Sequence, residues 1–196
     1  MSLIYGDNFI GNNTISTTQT FAGLFSDNNK LVNTKDLVLP TMSLTKDCYN
    51  AMFYDCTSLV TAPVLPATTL ATQCYIAMFY NCTSLTTAPA LPATTLANYC
   101  YSDMFNGCTS LTTAPELPAT TLVNGCYFEM FRNCTSLNYL KAMFCFKEGE
   151  SVNSWNVRYW LDGVSATGTF VKNSEATWNN SDWGIPSGWT VTTASE

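Results

Sequence analysis

The 196-residue chain contains no histidine, only 11% charged residues and a net charge of −6. Without histidine, the usual serine and cysteine nucleophile arrangements lose their base. With eight lysines and arginines and no basic cluster, the chain lacks what sequence-independent phosphate binding requires, so nucleic acid is not an expected partner. No apolar run approaches the length of a membrane span, so no transmembrane segment is expected. The opening "MSLIYGDNFIGNNT" carries neither a basic stretch nor an apolar core of the signal-peptide kind, which predicts a mature start or export by another route. A glycine-rich phosphate loop and a calcium-loop pattern are also missing. Nine cysteines are present, yet none forms CxxC, and C-x7-C does not present a zinc pair. Neither metal nor cofactor is implied.

What the chain does have is a repeat. Cys48, Cys74, Cys100 and Cys126 are 26 residues apart, as are Cys56, Cys82, Cys108 and Cys134 and the four Met-Phe pairs beginning at Met52. A fixed period in this range marks a stacked array. Within one copy, Leu70, Cys74, Tyr75, Met78, Phe79 and Cys82 recur while positions 72, 73, 76, 77 and 80 vary. That spacing predicts an amphipathic α-helix whose fixed face is core, with Thr68 or Thr69 as its cap and Asn106-Gly107 as a stop in the third copy. The following "CTSLTTAP" is short, threonine-rich and closed by proline, which suits a brief parallel strand. Cysteines eight residues apart on a helix lie about 12 Å from each other, too far for a bridge, so buried free thiols are expected.

The letters Phe79, Cys82, Ser84 and Leu85, with equivalents in each copy, resemble the BspA-type leucine-rich repeats of bacterial surface proteins. The resemblance covers roughly residues 21–140. It departs from that pattern in the "APALPATTL" connector, where Pro89 and Pro92 stand in place of aliphatic residues. The fold expected is an α/β leucine-rich-repeat solenoid of 26-residue units, each a short parallel strand plus a helix, closed by a small β-rich cap. Residues 1–20 are expected to form an N-terminal cap. Residues 21–140 form the solenoid with degenerate first and last copies, Lys35-Asp36 being a two-residue insertion in the first. Residues 141–196, which hold all five tryptophans, form the cap, in a segment similar to those that follow such repeats in surface or phage-associated proteins.

Asp103 and Glu129 are the best carboxylate pair for acid–base chemistry, but they fall among the varying positions and are expected to be solvated. No catalytic residue is therefore assigned. The varying positions are the candidates for binding, because stacked repeats swap side chains on a fixed scaffold. They include Tyr54, Tyr80, Tyr99, Asn106, Phe128 and Arg132 on the helix side, and Thr86, Thr112 and Glu116 on the strand side. An alternative is sugar stacking by Trp178, Trp183 and Trp189 of the tail. The resemblance implies a non-enzymatic adhesion or interaction scaffold, extracellular, on the bacterial surface or virion-borne, with a protein or surface ligand as partner.

Overall fold

The computed structural model describes residues 17–39, 44–145, 155–176 and 184–195. Among them there is no α-helix, and the regular strands are three short ones in a single parallel sheet. The expected α/β leucine-rich-repeat solenoid, with a helix in each unit, is therefore corrected: the stretches read as helices are chains of overlapping β-turns.

The backbone bonding of Thr45 to Cys56 shows how. Every second N–H closes a turn three residues back: Cys48 to Thr45, Asn50 to Asp47, Met52 to Tyr49, Tyr54 to Ala51 and Cys56 to Phe53, at 3.0–3.3 Å. The N–H groups between them point along the stack and donate to the next coil, from Tyr49 to Cys74, Ala51 to Ile76, Phe53 to Met78 and Asp55 to Tyr80, at 2.9–3.0 Å. The turns spanning Thr45–Cys48, Tyr49–Met52 and Phe53–Cys56 each place at their third residue the left-handed backbone that a type II turn requires. With the exception of Gly184, every positive φ among the described residues lies in one of these three columns.

The physical reason for the misreading is the period. In a helix, residues four apart precess by about 40°, so Leu70 and Cys82 would end about 120° apart. The recurring letters here step by four without drift, because each pair of turns consumes four residues and returns the chain to the same orientation. Two of every four side chains therefore face inward. Cys48, Tyr49, Met52, Phe53 and Cys56 and their equivalents in the next three copies are buried. The column holding Asp27, Asp55, Asn81, Gly107, Asn133 and Gly163, all at φ between 55° and 77°, is composed of the residues that tolerate left-handed backbone best.

The inward columns stack in register. Phe25, Phe53, Phe79, Phe105 and Phe131 form one near-parallel pile with ring centroids 5.4–5.7 Å apart. Phe21, Tyr49, Tyr75, Tyr101 and Tyr127 form a second, at 5.4–6.1 Å. Offset aromatic contacts of this kind contribute about 0.5–1.5 kcal/mol each beyond area burial. All nine cysteines are free and eight are buried. Those of the second series have a defined role: the thiols of Cys56, Cys82, Cys108 and Cys134 each donate to the carbonyl of a phenylalanine in the preceding coil at 3.0–3.1 Å. Burial raises their pKa, that of Cys134 to about 12.

On the other side of the coil, the expected parallel pairing is present in minimal form. Single bridges join Asn33 to Thr61, Thr61 to Thr87 and Thr113 to Tyr139. In the proline connector, Leu91 and Ala93 are buried while Pro92 is exposed, and Thr69, expected as a helix cap, instead bridges to Thr95. The ladder widens into true strands at β1 (Tyr139–Ala142), β2 (Gly168–Lys172) and β3 (Trp189–Thr193), in the order β1-β2-β3 and all parallel. The turn chain continues alongside them. Tyr127, Glu129, Phe131 and Asn133 donate to Asn156, Arg158, Trp160 and Asp162, so residues 156–163 form one more coil. At the other end, Gln19, Phe21, Gly23, Phe25 and Asp27 donate in the same rhythm to Lys46 through Tyr54.

Ala77 discriminates turn from helix, because its φ is 52°. In a helix Ala77→Gly costs about 1 kcal/mol. In the turn chain it relieves left-handed backbone worth about 1–2 kcal/mol, against a smaller entropy loss. We expect Ala77→Gly to be neutral or stabilising by up to about 1 kcal/mol in thermal denaturation; a loss of the helix-sized amount would contradict the turn assignment.

Candidate interaction surface

The outward half of each four-residue step builds the turn face. Tyr54 and Tyr80 occupy equivalent positions and stack on each other at 4.7 Å and 5°. The next residue in their column, Asn106, is only 4% exposed. Its amide nitrogen donates to Asp103 Oδ1 at 3.2 Å and Glu129 Oε2 at 3.3 Å. The column's last member, Arg132, pairs with Glu129 at 2.9 Å and with Asp162 at 3.4 Å. Tyr99 lies over Gly125, where a Cβ would run into its ring, and its hydroxyl accepts from Asn124 Nδ2 at 3.1 Å.

Thr86, Thr112 and Glu116 lie on the strand and connector side, away from the turn face. Both threonines are exposed, and Glu116 pairs with Lys141 at 2.9 Å. The nine candidates therefore divide between two sides of the coil. Val38 and Val64, on the connector near the N-terminal end, are 73% and 67% exposed.

Of the tail tryptophans, Trp178 and Trp183 lie outside the described residues. Trp189 is buried in β3, and its Nε1 donates to the Ser165 carbonyl at 2.7 Å. That side chain serves the core and presents no free ring face to a sugar. Among the described residues, Trp155 is the tryptophan that faces outward, 52% exposed, with Phe128 stacked on it at 5.5 Å. Arg158 sits over Trp155 at 5.1 Å and over Tyr159 at 4.8 Å, and Arg132 reaches the same Tyr159 ring at 5.5 Å. Both arginines of this acidic protein thus meet around one exposed tyrosine in the last two described coils.

The sequence reasoning missed Trp155, Arg158 and Tyr159 because it placed them in a separate β cap. A signal was present. "VRYWLDG" from Val157 to Gly163 aligns with "YFEMFRN" from Tyr127 to Asn133, with an apolar pair two and three residues before a residue suited to left-handed backbone. The coil boundary is obscured by a four-residue lengthening, since Phe53 donates 25 residues ahead whereas Phe131 donates 29 ahead.

Asp103 and Glu129, the carboxylate pair, share Asn106, while Ser102 Oγ donates to Asp103 at 2.8 Å. Burial pushes the Asp103 carboxyl above its ordinary range and the neighbouring Glu129 adds to this, against the hydrogen bonds from Ser102 and Asn106. Among the described residues no group of histidine, cysteine, aspartate and glutamate has the arrangement of a metal site, and no helix is long and apolar enough to cross a membrane. No family model, curated protein or solved structure matches the chain.

Because the folded pKa of Asp103 is raised, its contribution to stability is fully present below the unfolded value of about 3.9 and is lost as pH rises through the folded value. Asp103→Asn keeps an acceptor for a neighbouring donor, tolerates the φ of 56° and removes the half-buried charge. The variant is expected to melt above the parent at neutral pH, with the gap closing toward pH about 4. A variant that melts below the parent at neutral pH would show that the carboxylate is needed in its charged form.

Proposed function

We propose that this protein is a non-enzymatic interaction scaffold, extracellular, surface-displayed or virion-borne, that holds a protein or surface ligand on its turn face. The observation that carries this reading is the contiguous outward group of Phe128, Trp155, Arg158, Tyr159 and Arg132, supported by the Tyr54–Tyr80 stack on earlier coils. Aromatic and arginine side chains of this kind dominate binding energy where they are well packed. Tyr54, Tyr80, Phe128 and Arg132 are mounted on coils bonded through the backbone to the coils on both sides, so little ordering entropy opposes association there. The adhesion and location components rest on the resemblance to BspA-type surface proteins. The non-enzymatic component is supported by the absence of histidine and by the ties that hold Asp103 and Glu129 to Ser102, Asn106 and Arg132.

The test is a paired array of extracellular proteins and glycans probed with the whole chain and two variants, Tyr54→Ala with Tyr80→Ala and Phe128→Ala with Trp155→Ala. A protein ligand on the turn face should lose about a hundredfold in affinity with at least one pair, at roughly 2 kcal/mol or more for a central aromatic. Binding that survives both pairs but falls with Thr86→Ala and Thr112→Ala would move the site to the strand side. Glycan binding unaffected by either pair would favour the tail tryptophans Trp178 and Trp183 and contradict the proposal.

A further inference from the structure

Two neighbouring columns of the turn face change character along the stack. One runs Ala51, Ala77, Asp103 and Glu129, and the other Tyr54, Tyr80, Asn106 and Arg132, each at the 26-residue step. In the two later coils the columns bond to each other, Asn106 to Asp103 at 3.2 Å and Arg132 to Glu129 at 2.9 Å. In the two earlier coils alanine stands beside tyrosine and offers it no polar partner. The change falls between Tyr80 and Asp103, which lie in adjacent coils and adjacent columns.

Tyr80 is half-buried, and Tyr54 covers one face of its ring from the preceding coil at 4.7 Å. The opposite face is therefore directed along the stack toward the coil of Asp103, and it meets no other ring among the described residues. Asp103 is half-buried too. Its partners are the neutral groups of Ser102 and Asn106, and among the described residues it has no ion-pair partner. The nearest guanidinium along these columns, that of Arg132, is already paired with both Glu129 and Asp162. Partial burial raises the Tyr54 phenol pKa, and the carboxylates of Asp55, Asp27 and Asp103 raise it further, so this part of the face carries an uncompensated negative field.

The chain itself shows how a carboxylate and a ring on neighbouring coils are completed. Arg132 pairs with Glu129 in its own coil, and its guanidinium lies 5.5 Å from the ring centroid of Tyr159 in the next. Asp103 and Tyr80 offer the same two groups. The residue in the place of that arginine, Asn106, is neutral, short and buried.

We infer that this junction receives an arginine side chain of the protein partner, with its guanidinium against the open face of Tyr80 and paired with Asp103. A guanidinium is planar, stacks on an aromatic ring and meets a carboxylate through parallel N–H groups. A lysine ammonium would meet the carboxylate only as a point charge, and a neutral ring would leave it unpaired. The inference rests on the proposed protein-binding role of the turn face, and it makes the contacting surface of the partner basic.

The test is a titration of the isotope-labelled whole chain with acetyl-arginine amide and with acetyl-citrulline amide, which has the same shape and no charge. The arginine compound should move the Tyr80 ring signals and the Asn106 side-chain amide in a saturable way, and should bind at least about fivefold more tightly than the citrulline compound. Asp103→Asn, which keeps the shape of the side chain, and Tyr80→Ala should each weaken the arginine compound by a similar factor while the ring signals of the buried Phe105 stay in place. The assignment is overturned if the arginine compound leaves these signals still at tens of millimolar, if both compounds move them equally, or if Asp103→Asn binds as the parent does. Small compounds engage the junction whether or not a protein ligand is captured, so failure of this titration and failure of the turn face as a protein-binding surface are separate results.

Discussion

The structure depends on one constraint, the alternation of backbone N–H direction at every second residue. Half of the N–H groups in a coil are used locally to close turns, and the other half point along the stack. A single coil therefore cannot satisfy its own backbone, whereas an α-helix of the same length can. Unpaired buried N–H groups are costly, so each coil needs its neighbours, and the chain folds as a stack or not at all. The constraint also explains the repeat length. Equivalent residues must fall on the same axis for N–H to meet carbonyl, and a copy of fixed length delivers that without adjustment. Where the length changes, between the coil of residues 125–133 and that of residues 156–163, the turn chain regains register through a four-residue extension.

Side-chain chemistry follows from the same geometry. Stacked coils place like residues on like residues, which rewards groups that pack well against themselves. Phenylalanine and tyrosine do so as near-parallel rings. Cysteine is small enough for the tightest column, and its thiol can share a phenylalanine carbonyl that already accepts from the turn, as Cys82 does with Phe53. Charged residues stack poorly on themselves, consistent with a chain only 11% charged. In the outward column where aromatic residues give way, Asn106 and Arg132 are held by the carboxylates of Asp103 and Glu129, so polar groups replace ring contacts with hydrogen bonds and an ion pair.

The repeat, its bounds in the middle of the chain, the inward set and the parallel pairing near Thr61 and Thr87 were all legible from the letters. The local backbone was not, because inward spacings of four and five suit both a helix and a chain of turns. The deciding letters were the outward ones. Asp55, Asn81, Gly107 and Asn133 form a column of left-handed formers, which only a recurrent positive φ explains. The sequence reading used that column only at Gly107, as a helix stop. At the candidate surface, Tyr54, Tyr80, Phe128 and Arg132 lie on the turn face as outward positions should, while Asn106 was drawn inward by carboxylates on two coils. Trp155, Arg158 and Tyr159 were hidden by the lengthened final coil, where the 26-residue period no longer points to the equivalent residue.

The functional reading inherits this logic: rigid coils present an aromatic and arginine face. That face requires that the N–H groups run between coils, so the most direct test is to detect those bonds. Scalar coupling across hydrogen bonds, measured on the labelled chain, reports which carbonyl carbon each amide nitrogen is joined to. The structure predicts a coupling from the Phe53 nitrogen to the Met78 carbonyl carbon, across a bond of 2.9 Å. A coupling from Phe53 to Tyr49, four residues back within the same coil, would mean a helix and contradict the account.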